Sequence, residues 1–78
     1  MKLRDLLPDI ASLDPDLTVY IDGEWSPESN ILLRIEPDDG SSPEGFEYFL
    51  EVFILQELYE DMPDITAERI IKYAQKDC

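Results

Sequence analysis

Three pairs of carboxylates stand close together in this chain: Asp14 with Asp16, Asp22 with Glu24, and Asp38 with Asp39. Two neighbouring carboxylates perform general acid–base chemistry when a cleft drives their pKa values apart. A chain of 78 residues builds a thin core and leaves little room for such a cleft. Each pair therefore reads as solvated acidic surface. Nucleophilic catalysis lacks its parts, because there is no histidine to act as base and the single cysteine, Cys78, ends the chain. Calcium needs several oxygens at ordered spacing, and Asp38-Asp39-Gly40-Ser41 lacks the alternating acids of a calcium loop. No cysteine and histidine set exists for zinc. The expectation is a protein without catalytic residues, metal site or cofactor.

The charge carries more information. Nineteen acidic residues face six basic ones, giving a formal net charge of -13. Such an excess destabilises a compact state by self-repulsion. Duplex DNA carries one charge per about 1.7 Å of axis, so this charge matches roughly 22 Å of duplex. A compact chain of this length has a radius of gyration of about 11 to 12 Å and a diameter near 30 Å. Averaged over its length, the domain approaches the charge density of nucleic acid. It is repelled by nucleic acid and by anionic membranes, and attracted to proteins that bind those polyanions. The alternative is an acidic interaction domain whose charge serves solubility alone.

Hydrophobic residues make up 44% of the chain and recur in periodic segments, which argues for a folded domain spanning 1–78. Neither a signal peptide nor a bilayer-crossing run is visible, and a lone cysteine gives no internal disulfide. A cytoplasmic monomer is the expectation.

The elements that must position the acids follow from periodicity. Leu3, Leu6, Leu7, Ile10 and Leu13 predict a helix capped by Asp5, with Pro8 in its first turn, ended by Asp14-Pro15-Asp16. Leu17 to Asp22 alternates as a half-buried strand, and Ile31 to Glu36 alternates again as its antiparallel partner. Gly23 to Asn30 is a loop holding Trp25. Pro37 to Gly45 reads as a surface loop or a long hairpin connection. Phe46 to Leu55 fits a strand or a buried helix capped by Ser42. Its aromatic and β-branched content favours a strand to about Ile54, followed by a helix from Leu55 to Asp61. Asp64 or Thr66 caps a last helix with apolar positions Ile65, Ile70, Ile71, Tyr73 and Ala74, and with Lys72 and Lys76 near its end. The fold class expected is α+β: an antiparallel sheet of about three strands packed with two to three α-helices.

In that frame the acids fall in turns and at strand ends: Asp14, Asp16, Asp22, Glu24, Glu28, Glu36, Asp38, Asp39 and Glu44. Glu47 and Glu51 add an outward stripe to the third strand, alongside Phe49. Carboxylates held within a Debye length of one another, about 8 Å at physiological salt, can imitate phosphates and engage a partner's lysines and arginines. Trp25, between Glu24 and Glu28, has two readings: an exposed anchor for that partner, or a plug at one end of the sheet.

The opening Met1-Lys2-Leu3-Arg4-Asp5-Leu6-Leu7-Pro8, with Leu13-Asp14-Pro15-Asp16-Leu17-Thr18-Val19-Tyr20-Ile21-Asp22, looks like the start of many short phage proteins. Taken with its size and acidity, the chain resembles the small acidic anti-CRISPR proteins of phages, a group without a shared motif. The resemblance implies an inhibitor that acts by DNA mimicry in a bacterial host, on a nucleic-acid-binding subunit of a CRISPR effector complex. The stretch from Ile31 to Phe53 is also similar to small immunity proteins that neutralise basic nuclease toxins.

Overall fold

The computed structural model describes residues 1–76, so Cys78 lies outside the described residues. The chain forms an α+β domain in the order α1 (Leu3–Leu6), a 3-10 helix (Leu7–Ser12), β1 (Leu17–Asp22), β2 (Ile31–Ile35), β3 (Phe46–Glu51), α2 (Val52–Asp61) and α3 (Ala67–Lys76). The strands make one antiparallel sheet in the order β2-β1-β3. The Cα radius of gyration is 11.6 Å.

Alternation along β1 sends Val19 and Ile21 toward the helices. There they join Leu3, Leu6, Ile10, Leu50, Leu55 and Ile70 in one core. The helices cover that face because each offers a stripe of large apolar side chains, and burying one such side chain is worth about 1.5–3 kcal/mol. In α3 the stripe is Ala67, Ile70, Ile71 and Ala74, all buried. Of the two caps expected for that helix, Thr66 supplies the bond, its Oγ1 accepting the Arg69 N–H at 3.3 Å. Tyr73, expected among the apolar positions, remains 38% exposed.

The first helix differs from expectation at both ends. It begins after Lys2, and Asp5 sits inside it, its carboxylate accepting the Lys2 N–H at 3.3 Å. Pro8 has no N–H to give an α-helix, and the chain tightens into the 3-10 form from Leu7 onward. The carbonyls at the end of this segment find a partner on α2. Gln56 Nε2 donates to the carbonyls of Ile10 at 3.1 Å and Leu13 at 2.8 Å.

The second difference is in β3. The strand ends at Glu51, not near Ile54, and α2 follows at once from Val52. A bulge opposite Val19 and Tyr20 inserts Phe49 into the pairing. Phe49 and the adjacent Leu50 therefore both turn inward, at 1% and 3% exposure. The bulge also divides the expected acidic stripe. Glu47 stands opposite Ile21, on the helix-facing side, and Glu51 stands opposite Thr18, on the other. Strict alternation had placed Phe49, Glu47 and Glu51 together.

Candidate partner-binding face

The topology decides where the acidic connection runs. β2 and β3 flank β1 and are both antiparallel to it, so they are parallel to each other. Residues 36–45 therefore cross the sheet over β1; they are not a hairpin connection. With the helices on one face, the crossover takes the other. Its Pro37, Ser41, Ser42 and Pro43 border a hollow of about 240 Å³ shared with Tyr20, Arg34 and Ile35 of the strands. Thr18 and Tyr20, which the sequence placed on a solvated face, are accordingly buried at 3% and 1% exposure.

Strand register fixes the rows beneath the crossover. Arg34, Thr18 and Glu51 form one row, and Leu32, Tyr20 and Tyr48 the next, with Asp22 beside Phe46 beyond. The Tyr20 and Tyr48 rings meet edge to face, with centroids 6.4 Å apart. Burial, and secondarily the charge of Glu36, pushes the Tyr20 hydroxyl pKa above its ordinary value, so the group stays protonated.

Six of the acids singled out from sequence meet on this side: Asp22 and Glu51 from the strands, and Glu36, Asp38, Asp39 and Glu44 from the crossover. The crossover is held by its own short-range bonds. The Gly40 N–H donates to the Pro37 carbonyl at 2.9 Å, the Ser41 N–H to Asp39 Oδ1 at 2.9 Å, and the Phe46 N–H to the Pro43 carbonyl at 3.0 Å. Gly40 and Gly45 have φ of 73° and 83°, values that disfavour any residue with a Cβ. The Ser41 N–H, and then its hydroxyl, hold the Asp39 carboxyl below its usual value, so Asp39 remains ionised.

The remaining candidates lie elsewhere. Asp14 and Asp16 form the turn into β1, with Asp14 Oδ1 accepting the Asp16 N–H at 2.9 Å. Glu24, Trp25 and Glu28 belong to the β1–β2 loop, where the Ser29 hydroxyl donates to the Glu24 carbonyl. That loop is stitched to the N-terminus by Leu3 N–H to the Ser29 carbonyl at 2.9 Å and Arg4 N–H to the Pro27 carbonyl at 3.0 Å. Glu28 is paired with Lys2 at 3.1 Å and Arg4 at 2.6 Å, so its charge is offset. Trp25 is half-buried, its ring edge-to-face with Phe49 at 5.0 Å between centroids. It packs against the core as a plug.

Of the six cations, only Arg34 borders the crossover. From Glu36 through Asp64, both included, there are ten acidic residues and no lysine or arginine. Arg69, Lys72 and Lys76 share the solvent side of α3, opposite its buried stripe, and among the described residues none has a carboxylate within 4.0 Å. Sequence reasoning missed Tyr20, Arg34, Ser41, Ser42 and Pro43 as parts of this face. The available signal was the length of the 36–45 connection, ample to reach past a neighbouring strand.

Among the described residues no group of three or more metal-ligating side chains is gathered, and no helix is long and apolar enough to cross a membrane. No protein family, curated protein sequence or solved structure matches the chain.

Proposed function

We propose that this protein is an anti-CRISPR-like inhibitor that covers a basic nucleic-acid-binding surface of a protein partner, presenting its crossover as a stand-in for a phosphate backbone. The observation that supports the reading is the placement of charge. Asp22, Glu36, Asp38, Asp39, Glu44 and Glu51 share the crossover side of the sheet with a single basic residue, Arg34. Carboxylates gathered on one side of the sheet can meet several of a partner's lysines and arginines at once. Charge of one sign on one side steers encounter and gives the complex a strong salt dependence. The reading needs no catalysis and no cofactor.

The experiment is binding to the nucleic-acid-binding subunits of CRISPR effector complexes, measured across 50–500 mM salt with and without their nucleic acid. Affinity is expected to fall steeply with salt, and bound nucleic acid to compete. The triple variant Asp38→Asn, Asp39→Asn, Glu44→Gln should weaken binding by roughly tenfold or more, mostly through the association rate. Binding that ignores salt, survives the triple variant or coexists with bound nucleic acid would refute the mimicry.

A further inference from the structure

The hollow beneath the crossover contains an unexplained group. Tyr20 is 1% exposed, it lines the hollow, and its hydroxyl is buried with no hydrogen-bond partner. Buried hydroxyls are nearly always satisfied, because leaving one unpaired loses the hydration it had in water. The other residues with polar side chains in the lining are Ser41, Ser42 and Arg34. Three hydroxyl oxygens can thus accept hydrogen bonds there. The residues around them carry the carboxylates of Glu36, Asp38, Asp39 and Glu44 against the one positive charge of Arg34. The Tyr20 side chain is part of the lining, and aromatic rings attract cations.

We infer that the hollow is a receptor for one basic side chain of the partner, an ammonium or guanidinium that enters under the crossover and donates to the Tyr20 hydroxyl. The inference rests on the proposed function and names what the acidic face grips. An anion would meet Arg34 favourably, but it would approach four carboxylates. A cation meets the reverse balance, and the charge of Glu36, already felt by the Tyr20 hydroxyl, works in its favour. The space of about 240 Å³ holds a butyl chain with its charged head. The crossover can lift to admit it: its backbone hydrogen bonds are internal or to the residue that begins β3, and among the described residues none ties residues 37–45 to β1 or β2.

The test is an NMR titration of the full chain with n-butylammonium chloride, against sodium chloride and sodium butyrate at equal ionic strength. The expected result is a saturable set of amide shifts at Tyr20, Arg34, Ser41 and Ser42 with millimolar affinity, at least fivefold weaker in Tyr20→Phe. Shifts that never saturate, that spread evenly over all acidic positions, or that are unchanged by Tyr20→Phe overturn the inference. Saturable binding of butyrate in place of butylammonium does so as well. Ser41→Ala with Ser42→Ala, at exposed positions, gives an independent reading and should also weaken binding. These outcomes leave the salt-dependent binding of the partner to be judged separately. Loss of that binding with butylammonium still held refutes the proposed function alone.

Discussion

Trp25 separates two roles that sequence leaves open, and the structure gives the separation a magnitude. Its ring stands 5.0 Å from that of Phe49 at an interplanar angle of 79°. Aromatic pairs in this geometry contribute about 0.5–1.5 kcal/mol beyond the area they bury. Fully buried aromatic residues cost about 3–5 kcal/mol when truncated to alanine. Trp25 is only half-buried, so Trp25→Ala should cost about 1.5–2.5 kcal/mol, scaled from that range. A domain of this length is stable by roughly 4–12 kcal/mol, so the loss is a large part of the whole. A double-mutant cycle with Trp25→Leu and Phe49→Leu isolates the pair, and a coupling of about 1 kcal/mol is expected. Urea unfolding followed by far-ultraviolet circular dichroism is the suitable assay, because the variants that replace Trp25 lack the only tryptophan. The slope of the transition should be unchanged. A coupling within about 0.3 kcal/mol of zero, the scatter of additive sites, would mean that the ring does not hold the β1–β2 loop to the core. The anchor reading would then return.

Two further outcomes follow from side chains that the sheet and helices enclose. The fold holds Tyr20 protonated above the ordinary tyrosine value of 10.0, so its contribution is intact below that pH and is lost as pH rises through the raised value. Urea midpoints of the wild type should therefore fall relative to Tyr20→Phe above about pH 10, whereas at neutral pH Tyr20→Phe should be equal or slightly more stable; parallel pH profiles would contradict the burial. At Gln56, replacing the amide by Glu sets a carboxylate against the Ile10 and Leu13 carbonyls. That raises the folded-state pKa of the new acid above its unfolded value of about 4.3. Gln56→Glu should thus be less stable than Gln56→Ala at pH 7 by about 1–2 kcal/mol, with the gap closing as pH falls through the raised folded-state value toward about 4.3. A gap independent of pH would show that the bridge carries no energy.

The strands and α3 were legible because their signals are local. Leu17–Asp22 and Ile31–Ile35 alternate with period two, and α3 has a capping threonine and a clear apolar stripe. What was not legible depends on pairing between distant residues. Phe49 turns inward because an extra residue is accommodated opposite Val19 and Tyr20, and no pattern within Phe46–Glu51 announces that. The same bulge sent Glu47 and Glu51 to opposite faces. Tyr20 looked like an outward strand residue, and it is buried only because β3 pairs with β1 and not with β2, which forces residues 36–45 across it. Strand order is a tertiary choice, so the buried hydroxyl and its neighbours could not be read from β1 alone. Trp25 was ambiguous for a similar reason: Phe49 reads as a core residue, but only the bulge brings it to the side where Trp25 packs.

The segregation of charge bears on why so small a domain tolerates so large an excess. If the acids served solubility alone, any exposed position would do, and cations would be best scattered among them to relieve repulsion. Instead Lys2 and Arg4 both pair with Glu28, Arg69, Lys72 and Lys76 share the outer side of α3, and Arg34 alone stands against the crossover's acids. Such a distribution leaves repulsion unrelieved along the crossover, where a nearby lysine would have been stabilising. An isolated domain gains nothing from that arrangement. A domain that meets a basic surface recovers the repulsion on binding, because the partner's cations then sit where its own are missing. Under the proposed reading, moving cations inward should therefore exchange function for stability. Glu44→Lys should raise the urea midpoint while weakening partner binding by more than Glu44→Gln does. A variant that gains stability and binds as before would break the link between charge placement and recognition.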